Sequence, residues 1–220
     1  MRSLVPVLII TFGVACTAKD SGTTAQSDTT STTTSATPST TASSSTETAI
    51  SSTETAVAPE VSPPGDIPDS QTFVTFKNSS GGYQLETPEG WARMAVPPEY
   101  IADVTFVNKF DGVSVHIASA PAEPTAASVQ ANEVKRIQSN VRAVKITSVS
   151  EGTLTSGKAV AIKYTSNSNP SPITNKQIRL ENVTYVLYRN GKEAMLTMWA
   201  PLGADNADQW NRMANSFRWL

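Results

Sequence analysis

The chain contains one cysteine, Cys16, and one histidine, His116. A single cysteine excludes an internal disulfide, so the fold must hold by packing. A single histidine leaves one side chain with an ordinary pKa near neutrality. With no second copy of either type, the ligand sets of common zinc centres are missing, and neither a metal nor another cofactor is expected. Catalytic motifs are missing too. Serines are abundant, yet no Gly-x-Ser-x-Gly elbow occurs, and any Ser-His-Asp set would have to recruit His116. Gly81-Gly82 lacks the spacing of a phosphate-binding loop. No catalytic residue is assigned, and the chain is not expected to be an enzyme. Aromatic residues are absent between Phe12 and Phe73, and every Trp and Tyr follows that gap, so core-forming material is confined to the C-terminal two-thirds. One domain is expected. Charge of one sign does not dominate: 17 basic against 19 acidic side chains give a formal net charge of -2. That balance supplies no chain-wide basic field and argues against nucleic acid as a partner.

The N-terminus carries an export pattern. Arg2 precedes the apolar run Leu4-Val5-Pro6-Val7-Leu8-Ile9-Ile10-Thr11-Phe12, the two parts of a cleaved signal. The run is shorter than the about 20 apolar residues a transmembrane helix requires. Gly13-Val14-Ala15-Cys16 resembles the lipobox of bacterial lipoproteins, with Cys16 at the position that receives diacylglycerol. Gly13 departs from the leucine usual there. The resemblance implies a signal peptide over residues 1–15, lipid attachment at Cys16, and a chain held on the extracytoplasmic face of the cell membrane. Gly13 and Ala15 also fit ordinary cleavage after Ala15 or Ala18. Two or more acyl chains would make the anchor stable, where one would be marginal.

From Thr17 to Val57 the sequence is mostly Ser, Thr and Ala, and such a segment buries too little to offset its own ordering entropy. Between Thr17 and Ser70 seven acids face Lys19 alone. Within the segment lies a tandem repeat, Ser44-Ser45-Thr46-Glu47-Thr48-Ala49-Ile50 followed by Ser51-Ser52-Thr53-Glu54-Thr55-Ala56-Val57. Its period of seven does not make a coiled coil, because each unit offers one aliphatic residue where a seam needs two. Pro59, Pro63, Pro64 and Pro68 stiffen the approach to the domain. Residues 16–70 are read as a disordered linker that holds the domain off the bilayer.

After Gln71 alternating hydrophobics and turn signals take over. Phe73–Phe76 and Tyr83–Glu86 read as strands around Asn78-Ser79-Ser80-Gly81-Gly82. Val104–Phe110 and Val113–Ser119 flank Asp111-Gly112, which predicts a hairpin turning there. Thr125 to about Val141 predicts one helix, with Val129, Glu133 or Val134, Ile137 and Val141 at helical spacing. Val144–Val149, Lys158–Thr165, Ile178–Arg189 and Lys192–Trp199 predict strands, the last two joined by Asn190-Gly191, the strongest short-range hairpin signal. A terminal helix beginning at Gly203-Ala204-Asp205 carries Trp210, Met213, Ala214 and Phe217 on one stripe. The expected class over residues 71–220 is α+β, a mostly antiparallel sheet packed with helices.

Gly82-Tyr83-Gln84-Leu85 leading to Pro88-Glu89-Gly90-Trp91, the hairpin at Asn190-Gly191, and the closing Asp208-Gln209-Trp210 to Ser216-Phe217-Arg218-Trp219 together resemble the PsbP-like superfamily. Its bacterial envelope lipoproteins of LpqN type also place such a domain behind a lipobox. The resemblance implies an α/β/α sandwich and a non-catalytic binding or assembly role. It supports fold better than function, since its motifs are packing motifs.

Against that frame, His116 falls on the polar phase of its strand with no acid at i±2 and is expected to face solvent. Asn78-Ser79-Ser80 and Asn182-Val183-Thr184 match a glycosylation pattern that carries no weight beside a bacterial-type signal. The aromatics Tyr83, Trp91, Tyr164, Tyr185, Tyr188, Trp199, Trp210 and Trp219 fall where packing calls for buried groups. The loop Asn167-Ser168-Asn169-Pro170-Ser171-Pro172 is expected to be a solvated connection. The expected function is a lipid-anchored envelope protein with a non-catalytic role, its partners the membrane through the lipid and another envelope protein. The alternatives are a small-ligand or lipid carrier with a cleft beneath Trp91 or Trp210, and, last, a hydrolase.

Overall fold

A computed structural model of the protein describes residues 54–94 and 103–220. The signal, Cys16 and the first repeat of the tether lie outside them. Among the described residues ten strands and three helices follow one another as β1 (Phe73–Asn78), β2 (Tyr83–Pro88), β3 (Ala92–Met94), β4 (Val104–Asn108), β5 (Asp111–Ser119), α1 (Ala126–Ala131), α2 (Glu133–Asn140), β6 (Arg142–Leu154), β7 (Gly157–Asn167), β8 (Arg179–Arg189), β9 (Lys192–Pro201), α3 (Ala207–Ser216) and β10 (Arg218–Trp219). Seven strands form one sheet in the order β3-β4-β5-β9-β8-β7-β6, and β1-β2-β10 form a second. Every pairing is antiparallel. The class is α+β.

The large sheet is buried on both faces, which is why its central strands are apolar in both phases. On one face Val113, Val115, Val183, Leu187, Leu196 and Met198 pack under Tyr83 and Leu85 of β2, Met213 and Ala214 of α3, and Phe217. On the other, Val160, Ile162, Tyr164, Val186 and Met195 pack under Val129, Val134 and Ile137 of α1 and α2. The Asn190-Gly191 turn joins β8 to β9 with both residues at positive φ, 50° and 78°, the geometry that matches the strand twist.

Three expectations need correction. The helix over 125–141 is two helices, broken at Asn132, which ends α1 and begins α2. Val129 and Val134 are five apart, one residue too many for a shared helical face, and the break absorbs it. The hairpin between β4 and β5 turns on Lys109-Phe110, with Asn108 opposite Asp111, so Asp111-Gly112 belongs to the strand. Gly112 is there to admit Trp199, because a Cβ on it would lie 1.9 Å from the indole Cζ2. Gly112→Ala is therefore expected to cost about 1–3 kcal/mol by overpacking, read as a lower denaturant midpoint with an unchanged m-value.

The third correction concerns the linker. Residues 54–70 belong by composition to a disordered tether, yet they lie against the domain. Ile67 is buried in the core beside β2 and α3. Its N–H donates to Asn206 Oδ1 at 2.6 Å, while Asn206 Nδ2 donates to Gly65 O at 2.8 Å. Asp66 Oδ1 accepts from the Asp205 N–H, and Asp69 Oδ1 from Gln209 Nε2. Glu54 makes a further attachment to β6 and β7. Hydrogen bonds to backbone do for this strap what apolar bulk does for the core. The strap's aliphatic residues, Val57, Val61 and Ile67, follow neither a strand nor a helix period, and so conceal the attachment.

Candidate functional site

Alternate residues of a strand share a face. Lys163 and Thr165 of β7, and Glu181, Val183 and Tyr185 of β8, thus project from the same side of the large sheet. Opposite them the chain leaves β9, turns through Leu202 and Gly203, and enters α3. Between the two lies an open cleft of about 650 Å³, walled by Leu202, Ala204, Asp205, Asn206, Asp208 and Trp210. Its size lies in the range that holds small ligands.

Gly203 sits at φ +98°, a backbone conformation glycine adopts freely, and its backbone amide favours the ionised form of the Glu181 carboxyl. α3 consequently starts at Ala207, later than the sequence suggests. Asn206, in the N-cap position, spends its side chain on the strap instead of on the helix. Two residues that line the cleft, Asp205 and Asn206, are therefore fixed from behind by residues 65–67.

Electrostatically the cleft is mixed and leans acidic, with Glu181, Asp205 and Asp208 against Lys163. Burial pushes the Glu181 carboxyl above its ordinary value, and the Gly203 backbone amide opposes this only in part. Burial likewise raises the Tyr185 phenol. The indole Nε1 of Trp210 is buried without an acceptor among the described residues. Hydrogen-bonding groups and aromatic surface thus converge on one concavity. Such a combination suits binding and orientation.

The lone histidine stands elsewhere. His116 pairs with Met195 in the β5–β9 ladder, so it lies on the opposite sheet face from the cleft. It is half-buried, not solvent-facing as its polar phase suggested. Its Nδ1 lies 3.4 Å from Asp103 Oδ1, while Asp103 Oδ2 accepts from the Ile117 N–H at 2.6 Å. The acid missing from its own strand is delivered by the chain entering β4. No serine hydroxyl is hydrogen-bonded to His116, and no cluster of three or more His, Cys, Asp or Glu side chains is placed to hold a metal, among the described residues.

The aromatics divide between core and cleft. Tyr83 and Tyr164 are buried, Trp199 covers Gly112, and Trp219 packs on Phe217, while Tyr185 and Trp210 reach the cleft. Asn182 is buried with Nδ2 donating to Ser166 Oγ. Asn167 is buried as well, the last residue of β7 and not part of a solvated loop. Sequence reasoning missed Glu181, Asp205 and Asn206. The available signal was Glu181 itself, an acid continuing the inward phase set by Val183, Tyr185 and Leu187.

No family model matches the sequence, and no curated protein matches it. Among solved structures, the chain is similar to cyanobacterial PsbP (CyanoP) from Synechocystis sp. PCC 6803, with 16% identity over 71% of this chain and 99% of that one, at a TM-score of 0.48. It is similar to the Ran-binding protein Mog1p of Saccharomyces cerevisiae, with 10% identity over 67% of this chain and 95% of that one, TM-score 0.44. A third is LpqN, involved in cell envelope biogenesis of Mycobacterium tuberculosis, with 16% identity over 73% of this chain and 88% of that one, TM-score 0.36. The fold class stands on the strands and layers themselves.

Proposed function

We propose that this chain is a lipid-anchored, extracytoplasmic protein with a non-catalytic binding or assembly role at the cell envelope, and that the cleft between β7, β8 and α3 is its binding site. The cleft carries the proposal: it joins the half-buried Glu181, Tyr185 and Trp210 and the buried amide of Asn206 beside a rigid sheet, the arrangement that fixes and orients a bound group. The lipobox-like run Gly13-Val14-Ala15-Cys16 supports the address. No helix among the described residues is long and apolar enough to cross a membrane.

The reading is tested with the full chain extracted from membranes in mild detergent. Wild type is expected to recover an envelope component that Trp210→Ala and Glu181→Lys each reduce at least about tenfold, as removal of a binding anchor does, with the folded fraction unchanged by circular dichroism. Recovery that survives both substitutions would overturn the assignment of the cleft. A lipid or other small molecule found by mass spectrometry in wild type and lost in the variants would favour a carrier over an adaptor. Cys16→Ala is expected to release the protein from the membrane fraction.

A further inference from the structure

The first attachment of the strap is a built receptor. Arg179, 5% exposed, donates from Nη1 to Ala143 O at 2.8 Å and to Asn167 Oδ1 at 3.0 Å, and from Nη2 to Thr165 Oγ1 at 2.5 Å. Ala143 lies in a bulge of β6, at φ +44°. These bonds lock Asn167, itself 3% exposed. Its amide then meets the strap as a neighbouring strand would. Nδ2 donates to Thr55 O at 3.0 Å, and Oδ1 accepts from the Val57 N–H at 3.1 Å. The same Nδ2 donates to Glu54 Oε1 at 2.9 Å, joined by Gln177 Nε2 at 2.7 Å, while Arg142 Nη2 stands 2.7 Å from Glu54 Oε2.

What this receptor reads is therefore one carboxylate and the extended backbone one and three residues after it. Backbone capture gives affinity and side-chain capture gives specificity, as in strand-addition recognition. Burial opposes ionisation of Glu54, but the bonds from Asn167 and Gln177 and the charge of Arg142 prevail, holding its carboxyl below the ordinary value. The ligand is thus the carboxylate, charged at neutral pH.

Everything read at Glu54-Thr55-Ala56-Val57 recurs seven residues earlier in Glu47-Thr48-Ala49-Ile50. The units differ in one β-branched residue, and at that position the receptor takes the main-chain N–H. We propose that the site formed by Arg142, Asn167, Gln177 and Arg179 is a receptor for an extended Glu-Thr-Ala-aliphatic segment, and that both tether repeats are its ligands, docking in two registers seven residues apart. Seating the first repeat draws about 24 Å of extended chain from the outer tether into the strap. It also doubles the closed segment between the receptor and the Gly65–Ile67 attachment, a loop-closure disadvantage of roughly threefold. The Glu54 register is favoured, and the other is within thermal reach. This inference does not rest on the cleft.

The test uses the full chain and a fluorescent peptide of sequence Ser-Ser-Thr-Glu-Thr-Ala-Val, read by anisotropy. Wild type should bind it weakly, because the tethered repeats compete at effective concentrations on the order of 1 mM. Glu54→Ala alone should change the apparent affinity by no more than about threefold, since the first repeat takes the vacated site. Glu47→Ala with Glu54→Ala should bind at least about tenfold tighter than either single variant. On that double variant, a peptide with Gln in place of Glu should lose about tenfold or more. If Glu54→Ala alone opens the site as fully as the double variant, the two registers are overturned. If the double variant fails to bind, or binds the Gln peptide equally, the receptor itself is overturned. All the substitutions lie in the tether, outside either core.

Discussion

Asp111→Asn is expected to stabilise the protein at pH 8 by roughly 2–4 kcal/mol, the linkage equivalent of a carboxyl titrating near neutrality. Asp111 is 3% exposed and its Oδ1 has no hydrogen-bond partner among the described residues. A Cβ on Gly65 would come within 2.6 Å of that oxygen, so the strap closes directly over it. Burial, and then the negative charge of Asp66, push the carboxyl from 3.8 to about 7. Such a group binds its proton more tightly folded than unfolded. Stability is therefore greatest below the unfolded value, declines as pH rises from about 4, and has lost the full contribution above about 7. Asparagine keeps the shape and removes the titration. Thermal unfolding should show wild type falling by roughly 2–3 kcal/mol between pH 5 and pH 8 from this group, with the variant lacking that slope. At pH 8 the variant should melt roughly 5–12 °C higher. A wild-type profile already flat over that range, or no gain in the variant, would sink the account.

Phe217→Ala should be the most damaging single truncation near the cleft, at about 4 kcal/mol. Phe217 is fully buried, stacked on Tyr83 at 5.5 Å between ring centroids and 17° between planes, and met edge-on by Trp219 at 5.3 Å. It also joins α3 to β10, which pairs with β2. Truncation removes the contact between helix, small sheet and large sheet at once, leaving a cavity that rigid strands cannot close. Equilibrium denaturation measures the loss. A double-mutant cycle with Tyr83→Ala should show coupling of roughly 0.5–1.5 kcal/mol, the part that belongs to the aromatic pair. A loss below about 1 kcal/mol would mean the core relaxes into the space, contrary to the packing described.

Elements governed by local chemistry were legible in the sequence. Asn190-Gly191 announced its hairpin because only certain residues accept positive φ at both turn positions, and the stripe of Met213, Ala214 and Phe217 announced the buried face of α3. Misreadings arose where a distant residue decided. Asp111-Gly112 has turn chemistry, but Trp199 needs the missing Cβ of Gly112, and the turn falls on Lys109-Phe110 instead. The cleft was half legible: Trp210 pointed to it, while Asp205 and Asn206 entered through a turn set by Gly203 and by the strap. The attachments at Glu54 and Ile67 were hidden for a simpler reason. Asn167 and Asn206 bind main-chain atoms, which every residue of a low-complexity segment possesses.

The outermost strand of the large sheet has one more consequence. β6 runs for thirteen residues along an edge, long enough to template pairing with another copy. Its ladder to β7 is broken at Arg142/Lys145 and again at Ile146/Ser148. Each irregularity twists the strand and puts its outward hydrogen-bonding groups out of step. A flat, regular edge of that length would invite copies to zip into extended sheets. The irregularities confine the regular part of this edge to Ser148–Leu154, and so shorten to about half the strand the length on which a second copy could pair.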